Sequence, residues 1–583
     1  MELKRGIPVS PGVAIGVAMV LDTNGYRVAP RHVDADHVEL EISRLRTALS
    51  AAADEARRSQ RTVAATLGRQ VADILGAHAQ LMEGPALARE AEALIRQQLY
   101  AAEYALSKVI ARFAEALKAL GADHRFSSRT ADLFDIEKRV LDQLLGQRRE
   151  QIRHQDQRVI VLAHDLSPSE TAELDPKRVI AFATEGGGRA SHTAIMAGAL
   201  DIPAVVALGD FLENVTDGSM VIVDGNEGVL IIDPDEATRR RYETARQAFL
   251  THETELSALR DLPAVTVDGI RVTLLGNIEL PHEAPHCPER GAEGVGLYRT
   301  EFLYVGKEID PTEEEHFQAY RNVVRAIGPD KPVVIRTLDL GADKFALPSW
   351  NLAPERNPFL GLRSVRLCLR NLALFKTQLR AILRASAYGD VRLMFPMIGT
   401  VLELRQCRFL LNEVREDLDD AGIPYNRKML VGTMIEVPSA AIIADLLARE
   451  ADFFSIGTND LVQYALAADR TNDSVAGLYN PADPAVLRLI RQVVVAADNR
   501  GIPVNLCGEM SGDPVFTLLL LGLGLRQFSV APHSIPEIKA LIRKVTLADA
   551  IKVAEIALRL ETARDVMNFL RDQTRRMSPA VDE

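Results

Sequence analysis

In the C-terminal half of this 583-residue chain, charged and polar residues stand repeatedly just after short apolar, β-branched runs. Asn277, Arg299-Thr300-Glu301, Arg336, Glu436, Asn459-Asp460 and Cys507-Gly508-Glu509 hold that position, and Pro396-Met397 follows one further run. Arg299 and Arg336 could clamp a small dianion, because guanidinium forks match the oxygens of phosphate and carboxylate. Glu436 and Asp460 offer the hard oxygen ligands that Mg²⁺ prefers, with coordination left for substrate oxygens and water. Asn459 can donate to a phosphate oxygen, and Arg470, closing the stretch Ala467-Ala468-Asp469-Arg470, would add a further contact. An anionic substrate, a divalent metal and several cations point to phosphoryl transfer, where positioning and charge neutralisation do most of the catalysis. Each residue taken alone also fits a plainer role. An arginine or glutamate can be a loop ion pair, one acid of the 436/460 pair can sit in a salt bridge, and Arg470 can be a helix-surface charge. Cys507 reads either as a small buried hydrophobe or as a proton donor facing the same mouth.

The N-terminal half holds one conspicuous segment, Glu185-Gly-Gly-Gly-Arg-Ala-Ser-His192-Thr-Ala-Ile-Met-Ala197. Glycines 186–188 make a flexible turn, and Ser191 can cap a helix that begins around His192. A histidine there suits a nucleophile that will carry phosphate, because backbone N–H groups and the helix dipole favour added negative charge. An exposed loop histidine, or one serving as a cap, is the plainer alternative.

Something must bring these residues together. The apolar runs are Arg271–Gly276, Gly294–Tyr298, Val333–Thr337, Val391–Phe395, Leu430–Ile435, Phe453–Ile456, Val504–Leu506 and Arg526–Ser529, separated by helical stretches. Eight of them fit a closed parallel (β/α)8 barrel, whose chemistry sits on loops leaving the carboxyl ends of the strands. Alternation alone also fits an open doubly wound sheet. In the N-terminal half, Gly6–Leu21 reads as turns and a strand or two. From about Asp34 to Gly146 the texture becomes helical, with Leu40, Ile42, Leu45 and Leu49 as one apolar run. Strand signals return at Arg158–Leu162, Arg178–Ala183, Ala204–Ala207, Met220–Val223 and Val229–Ile232. A helical bundle is therefore expected as an insertion into an α/β domain. A charged helix from Asp235 to about Leu259 would link the halves.

Bulk properties exclude several classes. A net charge of −12 argues against a nucleic-acid binder, which needs a basic face. Four cysteines (Cys287, Cys368, Cys407 and Cys507) form no C-x-x-C pair, so neither a zinc site nor a disulfide framework is indicated. The N-terminus has no secretory pattern and stretches such as Phe516–Leu525 are too short to span a bilayer. A cytoplasmic protein without membrane insertion is expected.

Taken in order, the motifs resemble the Enzyme I family of the bacterial phosphoenolpyruvate:sugar phosphotransferase system along nearly the whole chain. The matching segments are Gly6–Gly16, Ser191–Ile195, Gly291–Leu303, Arg336–Lys344, Asn357–Arg363, Met434–Ser439, Phe453–Tyr464, Ala468–Arg470 and Cys507–Met510. The resemblance implies that His192 is the phosphohistidine and that Arg299, Arg336, Asn459 and Arg470 contact phosphoenolpyruvate. It implies Glu436 and Asp460 as Mg²⁺ ligands and Cys507 as the acid that protonates the enolate to pyruvate. It further implies transfer of the phosphate to the carrier HPr and a homodimer formed through the C-terminal barrel. The implied organisation is a multidomain α/β protein. A swivelling phosphohistidine domain would cover 1–32 and 147–234, with a helical HPr-binding insert at 33–146. A linker helix (235–261) and a phosphoenolpyruvate-binding, dimerising TIM barrel (262–583) would follow. Residues 74–82 resemble a helix of the insert, and 164–170 with the helix after Asp235 are hinge candidates.

Two departures from the family pattern stand out. Ala190 replaces the usual Thr before Ser-His, and Gly198 replaces an Arg six residues after the histidine. Arg189 is the cation available to compensate. These changes give some weight to a regulatory phosphorelay protein or a partly inactive paralogue. Pyruvate-phosphate dikinases and phosphoenolpyruvate synthases share the histidine and barrel modules but need an ATP-binding domain, for which this chain leaves no room.

Overall fold

The computed structural model describes residues 1–21, 32–34, 37–66, 69–119, 124–145, 158–164, 178–187, 202–212, 215, 218–304, 310–341, 355, 357–470, 472 and 474–577. The chain divides into two compact units, Met1–His252 and Glu253–Glu583.

The first unit is built on an eight-stranded mixed sheet. Its strands are Glu2–Arg5 (β1), Ile7–Ser10 (β2), Val13–Leu21 (β3), Val159–Ala163 (β4), Val179–Thr184 (β5), Ala204–Val206 (β6), Met220–Asp224 (β7) and Val229–Ile232 (β8), in the spatial order β1-β8-β7-β3-β4-β5-β6-β2. The chain leaves this sheet after Leu21 and re-enters beside the strand it left. β3 and β4 pair in parallel, with Val17 opposite Val159. The five helices between them are Val38–Thr66 (α1), Arg69–Glu83 (α2), Pro85–Gln98 (α3), Ala102–Ala119 (α4) and His124–Leu145 (α5). They enclose a core of their own that includes Ile42, Leu45, Leu49, Ile95, Leu106 and Val140. The expected insertion is thus seen. Leu40, counted at sequence level in the apolar face, is instead exposed. β1 escaped the sequence reading because Glu2-Leu3-Lys4-Arg5 carries three charges. It survives as an edge strand, antiparallel to β8, where charged side chains can point to water. A helix over Glu236–Ser257 (α6) follows, and the division between the units falls within it.

The second unit is a closed barrel. Arg271–Ile278 (β10), Val295–Tyr298 (β11), Val333–Arg336 (β12), Val391–Phe395 (β13), Val431–Ile435 (β14), Phe454–Ile456 (β15), Val504–Leu506 (β16) and Gln527–Val530 (β17) each pair in parallel with the next. β17 returns to β10, with Leu275 opposite Ser529, and closes the ring. Closure excludes the open-sheet alternative. A short strand, Ala264–Val265 (β9), lies antiparallel on β10 outside the ring. Most barrel-strand residues are buried, as expected when one face packs under helices and the other fills the lumen. Alternation separates the two faces. Val333, Ile335, Leu393, Phe395, Val431 and Ile435 join the large outer core. Leu297, Val334, Met394, Met434, Phe453 and Cys507 form a separate cluster that fills the barrel. No helix among the described residues is long and apolar enough to cross a membrane.

A candidate active site at the carboxyl end of the barrel

Because all eight strands run the same way, the residues that follow them share one mouth. Arg336 is the last residue of β12 and is buried. Its Nη2 lies 3.1 Å from Glu301 Oε1 and its Nη1 lies 2.9 Å from Asp339 Oδ2. Arg363 Nη2 reaches the other oxygen of Asp339 at 3.2 Å. Burial alone would pull the Arg336 pKa down, but the fields of Glu301, Asp339, Glu436 and Asp460 outweigh it and keep the guanidinium charged. Burial likewise works to raise the Asp339 pKa, and Arg336 with Arg363 overcomes it, holding the carboxyl at about 2.

The backbone around this cluster is braced from behind. Thr300 Oγ1 donates to the carbonyl of Arg336 at 2.9 Å. Gln378, on the helix Leu372–Ala385, donates to Thr300 Oγ1 at 3.0 Å and accepts from Leu338 N–H at 3.0 Å. One buried amide therefore ties the ends of β11 and β12 together.

Glu436 follows β14 and is buried to 1% exposure. One of its oxygens accepts the Met397 N–H at 2.6 Å. Met397 adopts φ 54° to present that N–H, a left-handed conformation that a bulky residue takes only where its surroundings impose it. On the other side the backbone of Gly457 presses close, since a Cβ there would lie 2.9 Å from Glu436 Oε2. Burial first, then the charges of Asp339 and Asp460, push the Glu436 carboxyl well above its usual range, against the pull of Arg336. Asp460 sits in the first turn of the helix Thr458–Leu466, just past β15. Buried Glu436 and half-buried Asp460, whose charge reaches it, make a site that gains by taking up a cation. Among the described residues no third acid, histidine or cysteine joins them. That set fits Mg²⁺, which keeps several waters and substrate oxygens, better than a metal needing an all-protein cage.

The remaining predicted residues form the rim. Asn459 donates to Glu509 Oε1 at 3.0 Å and accepts the Glu509 N–H at 2.9 Å, and Arg470 Nη1 lies 3.9 Å from the same carboxylate oxygen. Arg299 pairs with Glu279 and is partly exposed. Cys507 belongs to the barrel-filling cluster and directly follows β16 at the mouth. Its Sγ lies 3.6 Å from the carbonyl of Ile456. Burial pushes the thiol up to about 11, which leaves it protonated at neutral pH. Asn277 differs from expectation. β10 runs on to Ile278, and the Asn277 amide is used up on the carbonyls of Cys507 (3.0 Å) and Ser529 (3.1 Å) as a brace between strands.

His192 lies outside the described residues, together with Arg189, Ala190, Gly198 and, except for His164, the hinge candidate 164–170. The start of its turn is described. Glu185, just past β5, accepts the N–H groups of Phe211 and Leu212, each at 2.8 Å, and stands 2.8 Å from His164 Nδ1. Sequence reasoning did not single out Asp339, Arg363, Gln378 or Glu185 for a role. Asp339 had a signal, three residues past Arg336. Gln378 had none, because its partners come from other elements.

Three family models of phosphoenolpyruvate-utilising enzymes match the chain, namely the N-terminal domain over residues 5–129, the mobile domain over 155–228 and the phosphoenolpyruvate-binding domain over 253–547. The phosphoenolpyruvate-protein phosphotransferase of Priestia megaterium is 42% identical over 97% of this chain and 98% of its own length. That of Geobacillus stearothermophilus is 44% identical over 97% of each. A solution structure of Enzyme I (nEIt) is 35% identical, covering 42% of this chain and 99% of its own, with a TM-score of 0.35. Near-full-length likeness at this level, on a closed barrel with those residues at its mouth, places the chain in the phosphoenolpyruvate-protein phosphotransferase family.

Proposed function

We propose that the protein takes the phosphoryl group of phosphoenolpyruvate onto His192, releases pyruvate and passes the phosphoryl group to a histidine of HPr, starting a sugar-uptake phosphorelay in the cytoplasm. The observation that carries this reading is the presence of both a buried, charged Arg336 and the buried Glu436 at one barrel mouth. Such a mouth is electrostatically built for a small polyanion and a divalent cation. Arg299, Arg336, Asn459 and Arg470 would bind the substrate anion. To do so, Asn459 and Arg470 must give up Glu509, whose exposed carboxylate is free to move into water. Glu436 and Asp460 would hold Mg²⁺, which when bound neutralises charge on the transferring phosphoryl group.

In the transfer, an imidazole nitrogen of His192 bonds to phosphorus as the bond from phosphorus to the enolate oxygen breaks. The Cys507 thiol gives its proton to the methylene carbon of the enolate, forming pyruvate, and the thiolate recovers a proton from water. A thiol held at about 11 suits this role as an acid, not as a rival nucleophile. The helices α1–α5 are the proposed HPr-docking surface, and a swivel would carry His192 between the two partners. Exposed Leu402 and Phe409 on the helix Val401–Asp420, with Ile442, support homodimerisation through the barrel unit. The presence of every mouth residue weighs against the regulatory paralogue that Ala190 and Gly198 suggest.

The test is incubation of purified protein with labelled phosphoenolpyruvate and Mg²⁺. Acid-labile, base-stable label on the protein is the expected result. A folded, dimeric protein that takes no label would put the regulatory reading first.

The same reading makes Gly508 sensitive. A Cβ at this position would stand 1.9 Å from Thr458 Oγ1 and 3.0 Å from Asn459 Oδ1. Gly508→Ala must therefore push apart the loops that carry Cys507 and Asn459. A shift of that kind is expected to lower kcat/KM for phosphoenolpyruvate by about 100-fold. Steady-state pyruvate release measures it, and a value within threefold of wild type would show that the loops yield without harm.

A further inference from the structure

Among the charged groups at the mouth, Asp339 is the one whose position answers a question the phosphotransferase reading leaves open. Arg336 is positively charged, buried and within the field of Glu436 and Asp460. At low dielectric a guanidinium and a carboxylate attract strongly. A direct Arg336–Glu436 ion pair would fill the site proposed for the metal and remove the arginine from the substrate. The structure shows Arg336 held elsewhere. Each of its two terminal nitrogens is taken by a different carboxylate, Nη2 by Glu301 and Nη1 by Asp339. Its Nη1 also lies 3.8 Å from the sulfur of Met434, which is on β14 two residues before Glu436, so the competing carboxylate follows close behind in the chain.

We propose that Asp339, with Glu301 beside it, is a positioning residue that keeps Arg336 off Glu436 and so leaves that glutamate open to a divalent cation. The inference rests on the phosphotransferase reading for its substrate and metal. Asp339 is itself pinned, its second carboxylate oxygen by Arg363 at 3.2 Å and its N–H by Glu301 Oε1 at 2.8 Å. Glu301, Arg336, Asp339 and Arg363 thus form a buried set of two acids and two bases, balanced without help from Glu436. Taking away the Asp339 charge leaves two arginines and one carboxylate. Arg336 then turns to the other carboxylates whose field already reaches it, Glu436 and Asp460.

The experiment uses the full chain and Mn²⁺ alone, titrated with free Mn²⁺ followed by electron paramagnetic resonance. It compares wild type, Asp339→Asn, Asp339→Glu and the double variant Asp339→Asn/Arg336→Met. Asp339→Asn is expected to weaken Mn²⁺ binding by about 10- to 100-fold, the size of effect seen when groups that position a metal site from outside it are lost. It should also raise KM for phosphoenolpyruvate more than it lowers kcat. Asp339→Glu should recover most of the affinity. The double variant should recover it as well, because no guanidinium remains to occupy Glu436, whereas a merely structural role for Asp339 would leave the double variant as weak as the single one. Mn²⁺ affinity within threefold of wild type in Asp339→Asn overturns the proposal, as does a double variant that stays weak. Should Asp339→Asn lack the wild-type circular dichroism spectrum, Glu301→Gln takes its place, with weakened Mn²⁺ binding expected and binding within threefold of wild type again overturning the proposal. A wild type that binds Mn²⁺ but is not phosphorylated by phosphoenolpyruvate fails the functional reading instead, and the metal titrations still judge Asp339.

Discussion

A His192→Ala variant incubated with labelled phosphoenolpyruvate and Mg²⁺ takes up no acid-labile label, while wild type approaches full occupancy. The loss is expected to be complete because the imidazole is the proposed covalent carrier, and alanine offers no nucleophile in its place. Cys507 of the barrel unit is no substitute carrier, because burial pushes its thiol up to about 11 and it stays protonated. The mouth residues, from Arg299 to Glu509, all belong to the second unit, so the variant is expected to retain its binding of Mn²⁺ and phosphoenolpyruvate. Two measurements therefore separate the outcomes. Lost label with retained binding supports His192 as the acceptor. Residual acid-labile label would move the phosphohistidine to another residue, and label lost together with Mn²⁺ binding would point to a general collapse.

Much of this architecture was legible before the structure, and the reason is local. Runs such as Val391–Phe395 and Val504–Leu506 are short, largely apolar and closely followed by residues that break a strand, Pro396 and Gly508 among them. Their strands begin and end where those patterns do. The insertion between Leu21 and Val159 was legible from the change to helical texture, and pairing of β3 with β4 is its structural counterpart. What stayed hidden depends on three-dimensional partners. Asn277 looked like a mouth residue because it follows an apolar run, but β10 continues through it and the amide is consumed as a brace. The bond from Met397 N–H to Glu436 spans 39 positions in sequence and needs a left-handed backbone that methionine does not advertise. The same holds for Gln378, whose helix gives no hint that its amide fixes two strand ends.

Glu436→Gln is expected to abolish Mg²⁺-dependent phosphorylation, lowering the rate by at least about 1,000-fold, since several kcal/mol of charge stabilisation depend on the metal. The substitution is close to isosteric, and its carboxamide oxygen can still accept the Met397 N–H. What disappears is the negative charge. That charge is costly where it stands, because burial and the nearby carboxylates of Asp339 and Asp460 all oppose it. The variant should therefore match or exceed wild type in thermal stability without metal, although it has lost activity. With Mn²⁺ added the order should reverse, because a ligand that binds only the folded wild type raises its melting temperature and not that of the variant. Opposite movements of activity and metal-free stability identify a strained functional carboxylate, a common trade at active sites. If Glu436→Gln instead melted several degrees below wild type in the absence of metal, the carboxylate would be a structural ion-pair member, and the metal would have to be held elsewhere.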